Sequence, residues 1–286
     1  MSVAENTKKI MNEHGFTASR RFGQNFLKEK AVLEDIVRAS RVNKDDIAVE
    51  IGPGLGSLTE YLAAAAGQVY AVEVDRKLIP VLEDTLSACD NVKIINADIM
   101  KTDINEITNG EPFRVIANLP YYITIPIIMS VLESGAACKS VTVMVQKEVG
   151  DRMTAVPGSK DYAALTLAVA NRAKALVVRR VPAGCFYPAP NVDSVVVHMD
   201  IYEEKPERAE DEQLLFTVIR GAFNQRRKTL VNALSGYPGL GRSKEEIQKA
   251  VETIGEKPTV RGEELSLSQF IRLSDIFTQG SFMKHN

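Results

Sequence analysis

Between residues 47 and 145, short β-branched runs alternate with helical stretches, and this alternation limits the possible folds more than any other feature. Residues 47–51 read as a strand, followed by a glycine-rich turn and a helix through Ala65. Residues 69–74 read as a second strand, and 77–88 as a helix with Leu78, Val81, Leu82 and Leu86 at helical spacing. Three further strands are expected at 92–95, 114–117 and 141–145, with a helical segment near 126–134 between the last two. Strands separated by helices require right-handed crossovers, which give a mostly parallel sheet covered on both faces. The expected class is α/β.

The pattern then changes. Residues 161–170 read as a helix, and 175–181 and 194–201 as strands with no room for a helix between them. These two are expected to pair antiparallel at a sheet edge, which brings the sheet to seven strands. The charged, proline-containing run 203–212 has the composition of a linker. Beyond it, 214–234, 244–254 and 266–277 are helical patterns without a strand candidate, so a small all-helical C-terminal domain is expected. The expected division is 1–203 and 204–286.

At 286 residues, 45% hydrophobic and 25% charged, the chain can bury one large core and one small one. Residues 1–9 are polar with no apolar segment behind them, and the apolar stretch 121–132 is short and contains Pro126. No membrane segment and a cytoplasmic location are therefore expected. Cys89, Cys138 and Cys185 lie far apart without C-x-x-C spacing, and the three histidines are scattered, so neither a disulfide framework nor a metal is expected. The formal net charge is -2, so a nucleic-acid face would have to come from local clusters. The candidates are Arg20-Arg21 with Lys28 and Lys30, then Arg172, Lys174, Arg179 and Arg180, then Arg226, Arg227 and Lys228. Such clusters are more often solvated faces than contacts.

Glu50-Ile51-Gly52-Pro53-Gly54-Leu55-Gly56-Ser57-Leu58-Thr59 sits where the first strand ends and a helix begins. Glycines there allow a sharp turn and close approach of a ligand to the backbone. Alone, the run is equally a plain strand–helix turn. Ser57 occupies the position where a dinucleotide fingerprint needs its third glycine, so the pattern is G-x-G-x-G after an acid. It resembles motif I of Rossmann-like methyltransferases. Glu73 closes the second strand, about 20 residues past Gly52, where an acid can accept both ribose hydroxyls of a cofactor. Asp98 follows the third strand; singly it reads as a helix N-cap, but as the third acid in register it reads as a partner for the cofactor's adenine amine.

Asn118-Leu119-Pro120-Tyr121 follows the fourth strand and resembles the (N/D)-P-P-(F/Y) motif of enzymes that methylate planar amino groups. The lone pair of an adenine amine is delocalised into the ring, so the nitrogen is a poor nucleophile. Acceptors at its two hydrogens, the Asn118 side-chain oxygen and the Leu119 carbonyl, favour a pyramidal nitrogen aimed at a sulfonium methyl. Pro120 fixes the turn, and Tyr121 can stack on the base. The bland alternative is an ordinary Asn-x-Pro turn. Phe186-Tyr187-Pro188-Ala189-Pro190-Asn191-Val192-Asp193-Ser194 is a stiffened loop able to carry Phe186 to the other face of a base extruded from its stack, or simply to plug the core with it.

Together with Phe22-Gly23-Gln24-Asn25-Phe26-Leu27, these runs resemble the small-subunit ribosomal RNA adenine dimethyltransferases of the KsgA type. Residues 222–230 and 261–266 extend the match into the helical domain, so it covers nearly the whole chain. The resemblance implies a Rossmann-like class I methyltransferase fold and S-adenosyl-L-methionine as cofactor. It also implies that Asn25 and Leu27, which by themselves read only as a loop, close over the cofactor with Gly52, Gly54, Glu73, Asp98 and Asn118. The implied reaction is dimethylation of the N6 amines of two adjacent adenines in a hairpin loop near the 3′ end of small-subunit rRNA, with a role in small-subunit biogenesis. The implied partner is that rRNA within the (pre-)30S particle, docked through the helical domain, with Arg226, Arg227 and Lys228 as candidate phosphate contacts. A monomer is the expected state. Two alternatives share parts of the pattern: the large-subunit rRNA adenine methyltransferases of macrolide resistance, and a non-catalytic ribosome-assembly factor. The Val192-Asp193-Ser194 form and the helical-domain motifs lean away from the first; intact Glu73, Asp98 and Asn118–Tyr121 argue against the second.

Overall fold

The computed structural model describes residues 3–17 and 23–280. The chain forms two compact units, Met1–Gly150 with Ala173–Ile201, and Asp151–Arg172 with Tyr202–Asn286. The strands of the first are β1 (Phe26–Leu27), β2 (Ile47–Ile51), β3 (Gln68–Glu73), β4 (Val92–Asn96), β5 (Phe113–Asn118), β6 (Cys138–Gln146), β7 (Ala173–Val181), β8 (Phe186–Tyr187) and β9 (Ser194–Ile201). Seven of them form one sheet in the order β4-β3-β2-β5-β6-β9-β7. All neighbours from β4 through β6 run parallel, whereas β9 runs antiparallel to both β6 and β7; the β7–β9 pairing is the one expected from the absence of a helix between them. Successive strands pass outward from β2 in one direction and from β5 in the other. That reversal opens a crevice at the carboxyl ends of the two central strands.

Both faces of β2 are covered, with Ala48, Val49 and Ile51 all buried, which is why it reads as an apolar run rather than an alternating one. The covering helices are α1 (Val3–Glu13), α2 (Lys30–Ser40), α3 (Ser57–Ala65), α4 (Ile79–Thr85), α5 (Ile104–Thr108) and α6 (Thr124–Glu133). Helices α2 and α3 give Leu33, Ile36, Leu58 and Leu62 to a core shared with Val69, Ile116, Met144 and Val196 of the sheet. Helix α4 packs Val81 and Leu82 against Ile10 of α1, together with Leu55 and Phe26. Each such leucine or isoleucine stabilises the fold by about 1.5–3 kcal/mol through removal from water. The helix expected over 77–88 is shorter, because the chain turns back at Leu86 and Cys89 to enter β4.

Helix α7 (Lys147–Met153) carries the chain into the second unit, which holds α8 (Ala164–Ala170), α9 (Glu212–Asn224), α10 (Leu230–Ser235), α11 (Lys244–Thr253) and α12 (Leu267–Thr278). The single boundary expected after residue 203 is therefore incomplete. Tyr162 and Leu167 belong to the helical core beside Leu215 and Phe270, and the Tyr162 hydroxyl donates to the Leu265 carbonyl at 2.7 Å. The apolar sequence of α8 needs a hydrophobic partner, and it has one there. The helix expected over 214–234 is also broken in two. A continuous helix would give the Leu230 amide to residue 226, but it donates instead to the Val260 carbonyl at 2.7 Å, and Thr229 caps the new start. Among the described residues no helix is long and apolar enough to cross a membrane.

Candidate active site

At the carboxyl ends of β2, β3 and β5 lies a cavity of about 410 Å³, within the usual range for a small-molecule site. Gly52, Gly54, Glu73, Asp98, Asn25 and Leu27 line it, and so do Asn118, Leu119, Pro120 and Tyr121. Residues expected from five separate stretches of sequence thus meet on one space.

Gly52 leaves β2 with φ +73°, and a Cβ there would meet nothing within 4 Å. Gly54, at φ +62°, is needed for a different reason: a Cβ would lie 3.1 Å from the Phe26 ring, so its bareness admits the N-terminal segment rather than the ligand. Phe26 is held in turn by an edge-on contact with Phe16. Strand β1 pairs antiparallel with β8, setting Leu27 opposite Phe186 and Phe26 opposite Tyr187. This ribbon is what brings Asn25 and Leu27 over the cavity. No local pattern in residues 23–27 foretells it, because its partner lies about 160 residues away.

The Glu73 carboxylate accepts from the Asp75 amide at 2.8 Å and from the Gly54 amide at 3.3 Å. Each oxygen keeps a second lone pair for a ligand. Burial raises the Glu73 pKa, the backbone amides of Asp75, Gly54 and Val74 pull it down, and the Asp75 charge raises it. Asp98 caps the turn 99–101, its Oδ1 accepting from Met100 N at 3.1 Å, and the residue also lines the cavity. Glu50 is buried at 1% exposure, and its Oε2 has no hydrogen-bond partner among the described residues. Burial pushes its pKa up to about 8, with the Glu73 charge adding to the rise. Thr59 lies close enough to lower it, but its hydroxyl does not meet hydrogen-bond geometry with the orphaned oxygen.

Asn118 ends β5 opposite Met144 of β6. Its Nδ2 donates to the Asn25 carbonyl at 3.3 Å, which turns its amide so that Oδ1 is the group left to accept. Leu119 is buried, and the Pro120 carbonyl accepts from Ile123 N and from the Thr124 hydroxyl, closing the turn into α6. The Tyr121 hydroxyl shares a 2.8 Å hydrogen bond with Ser194 Oγ at the start of β9, joining the two aromatic motifs. Burial raises the Tyr121 pKa, so it remains a neutral phenol.

Phe186 departs from its expected place. It does not line the cavity but is 2% exposed in the core with Leu33, Ile36 and Val181, supporting Leu27 from behind. Of the two uses its loop allowed, the structure has the plug. Some lining residues were not among those expected. Val74 and Ile99 flank the acids, with Val74 49% exposed, and Tyr122 stands at 62% exposure next to Tyr121. An apolar side chain left open beside a register of acids was the available clue.

In the helical unit, Arg226 is bound to Glu263 through Nε and to the Ser159 carbonyl at 3.2 Å, so it is a structural cation. Arg227 and Lys228 are exposed and make no side-chain hydrogen bond or ion pair among the described residues. Arg172 pairs with Glu212 at 2.9 Å, and Arg179 with Asp35. Arg20 and Arg21 lie outside the described residues. No cluster of three or more histidine, cysteine or acidic side chains is arranged to hold a metal among the described residues.

The model of a family described as ribosomal RNA adenine dimethylase matches residues 15–279. The chain is 50% identical over 278 residues to the ribosomal RNA small subunit methyltransferase A of Lachnoclostridium phytofermentans, covering 96% of each. Among solved structures it is similar to a dimethyladenosine transferase from Plasmodium falciparum, with a TM-score of 0.76 and 25% identity over 87% of this chain and 95% of that one. It is also similar to the 23S rRNA methyltransferase ErmE, with a TM-score of 0.71 and 25% identity over 89% of this chain and 100% of that one.

Proposed function

The chain belongs to the ribosomal RNA adenine dimethylase family, and on that footing we propose how its own residues carry the reaction. It is an S-adenosylmethionine-dependent rRNA adenine N6,N6-dimethyltransferase acting on small-subunit rRNA, with a role in small-subunit biogenesis. The fold likeness to a large-subunit enzyme reflects shared architecture; the relatives at 44–50% identity are all small-subunit enzymes. The observation on which the site assignment rests is that Asn118 opens on the same cavity as Gly52 and Glu73.

The cavity's side chains fit an adenosyl sulfonium. Glu73 suits ribose hydroxyls, Asp98 the adenine amine, and Val74 with Ile99 the apolar faces of a purine. The orphaned Glu50 oxygen suits an ammonium, the one cationic donor such a ligand brings to a buried acid. When bound, the cofactor supplies the electrophilic methyl. Asn118 Oδ1 accepts one hydrogen of the target amine, its Nδ2 being committed to Asn25, and the Leu119 carbonyl accepts the other. These acceptors stabilise positive charge as it develops on nitrogen, so no strongly basic side chain is required. Tyr121, its ring plane set by Ser194, stacks on the target base. Phe186 acts through Leu27, holding the N-terminal segment in place.

Finer features follow from the same reading: the target is a pair of adjacent adenines in a 3′-terminal hairpin loop, presented on a (pre-)30S particle in the cytoplasm to a monomeric enzyme. The helical unit supplies docking contacts, with Arg227 and Lys228 on phosphates. Incubation with labelled cofactor and unmethylated small or large subunits, followed by mapping of the modified bases, tests this. Label on adenine N6 of the small-subunit rRNA is expected. Label confined to large subunits would sink the proposal.

A further inference from the structure

Pro120, Tyr121, Tyr122 and Ile123 form one tight turn, closed by the Ile123 amide on the Pro120 carbonyl at 3.2 Å. The two central tyrosines have opposite fates. Tyr121 is partly buried with its hydroxyl spent on Ser194, whereas Tyr122 is 62% exposed and also lines the cavity. Its ring is not loose: a Cβ on Gly23 would lie 3.6 Å from both the Tyr122 ring and Pro120, so the N-terminal motif backs the ring closely. The other aromatic that was expected at the site, Phe186, lies in the core. A large ring steadied on one side and open to solvent at the rim of a base-binding cavity contributes little to folding. It offers a flat face to whatever lies beside the ligand.

Resting on the rRNA-adenine reading above, we propose that Tyr122 is a positioning and specificity residue that stacks on the nucleobase adjoining the target adenine. A base drawn out of its strand into the cavity leaves its neighbour unstacked at the rim, and an aromatic face there replaces the lost stacking. Tyr121 then orients the base that reacts, and Tyr122 the base that does not.

The test is steady-state methylation of unmethylated small subunits by wild type, Tyr122→Ala and Tyr122→Phe, with cofactor affinity measured by calorimetry. Loss of a stacking partner worth about 1–3 kcal/mol corresponds to roughly a 5- to 150-fold rise in KM for the subunit. In Tyr122→Ala that rise is expected without a matching change in cofactor affinity, and Tyr122→Phe, which keeps the ring, should recover most of it. Subunits whose rRNA carries uracil beside the target should lose affinity for wild type but not for Tyr122→Ala. An unchanged KM in Tyr122→Ala, or a phenylalanine variant as impaired as the alanine one, would overturn the proposal. A wild-type enzyme inactive on small subunits would instead remove the parent reading.

Discussion

Asn118 and Asn25, 93 residues apart, meet at 3.3 Å, the Asn118 amide donating to the Asn25 backbone carbonyl. This bond commits the Nδ2 end of the Asn118 side chain and leaves Oδ1 as the end free to accept. A primary amide carries an acceptor at one end and donors at the other, and only the acceptor end can grip an amine hydrogen. The N-terminal segment thus lines the cavity and also fixes the Asn118 amide.

Asn118→Ala removes that acceptor. The turnover number is expected to fall by two to three orders of magnitude, the scale seen when one preorganised transition-state contact is deleted, while cofactor binding changes little. Single-turnover kinetics beside calorimetry separates the two. Near-wild-type turnover would remove Asn118 from the reactive site.

Glu73 bears two loads: it holds the Gly54 and Asp75 amides and offers its remaining lone pairs to a ligand. Glu73→Gln, which keeps an acceptor, is expected to weaken cofactor binding about 10- to 100-fold with a small loss of Tm. Glu73→Ala should also lower Tm clearly, because buried amides left unpaired cost about 1–3 kcal/mol each. Equal Tm values for the two variants would show that the backbone bonds contribute nothing.

Glu50 carries a pH signature. Its folded pKa, near 8, stands above its ordinary 4.5, so between those values the folded protein holds a proton that the unfolded chain has lost. Its contribution to stability is complete below about 4.5 and declines as pH rises toward 8, by about 1.4 kcal/mol per unit. The ligand-free protein should therefore lose Tm between pH 6 and 8 more steeply than Glu50→Gln, which cannot ionise. Parallel Tm–pH curves would contradict the buried-acid picture. Cofactor affinity should rise over the same interval in the wild type as the carboxylate forms for its ammonium partner.

Gly54→Ala meets both a left-handed φ and the Phe26 ring, whereas Gly52→Ala meets only the φ. The first should be the more destabilising by about 1 kcal/mol, on top of a strain of about 1–3 kcal/mol common to both. Adding Phe26→Leu should recover part of the Gly54→Ala loss but none of the Gly52→Ala loss. Differential scanning calorimetry reads each difference.

Arg226 and its neighbours separate by what they touch. Arg227→Gln with Lys228→Gln should leave Tm unchanged and reduce the salt dependence of subunit binding by about 1.4 in log–log slope, the value for two single-strand phosphate contacts. Arg226→Gln should instead cost a few tenths of a kcal/mol of stability, since its bond to Glu263 is partly exposed. An unaltered salt slope in the double variant would exclude that pair from docking.

The seven strands of the main sheet, their order of appearance and the three acids at strand ends were legible because they depend on periodicities of two and 3.6 residues and on turn chemistry within about ten residues. Glu50 to Thr59 and Asn118 to Tyr121 carry their meaning locally. The helix break at 225–229 was not legible, because Leu230 gives up its helical bond for Val260, a residue 30 positions away. The placement of residues 151–172 in the helical unit was hidden for the same reason: an apolar helix advertises that it must be buried, but not against what.

From its own residues the chain determined the α/β class, the glycine turn, and the acids and the asparagine that line the cavity. Tertiary structure alone decided that Phe186 plugs the core while Tyr122 stands open, that Gly54 makes room for Phe26, and that Asn118 presents its oxygen. Side-chain chemistry is written in single residues. Exposure and orientation depend on distant partners, and the β1–β8 ribbon and the Asn25 carbonyl become partners only once the chain has folded.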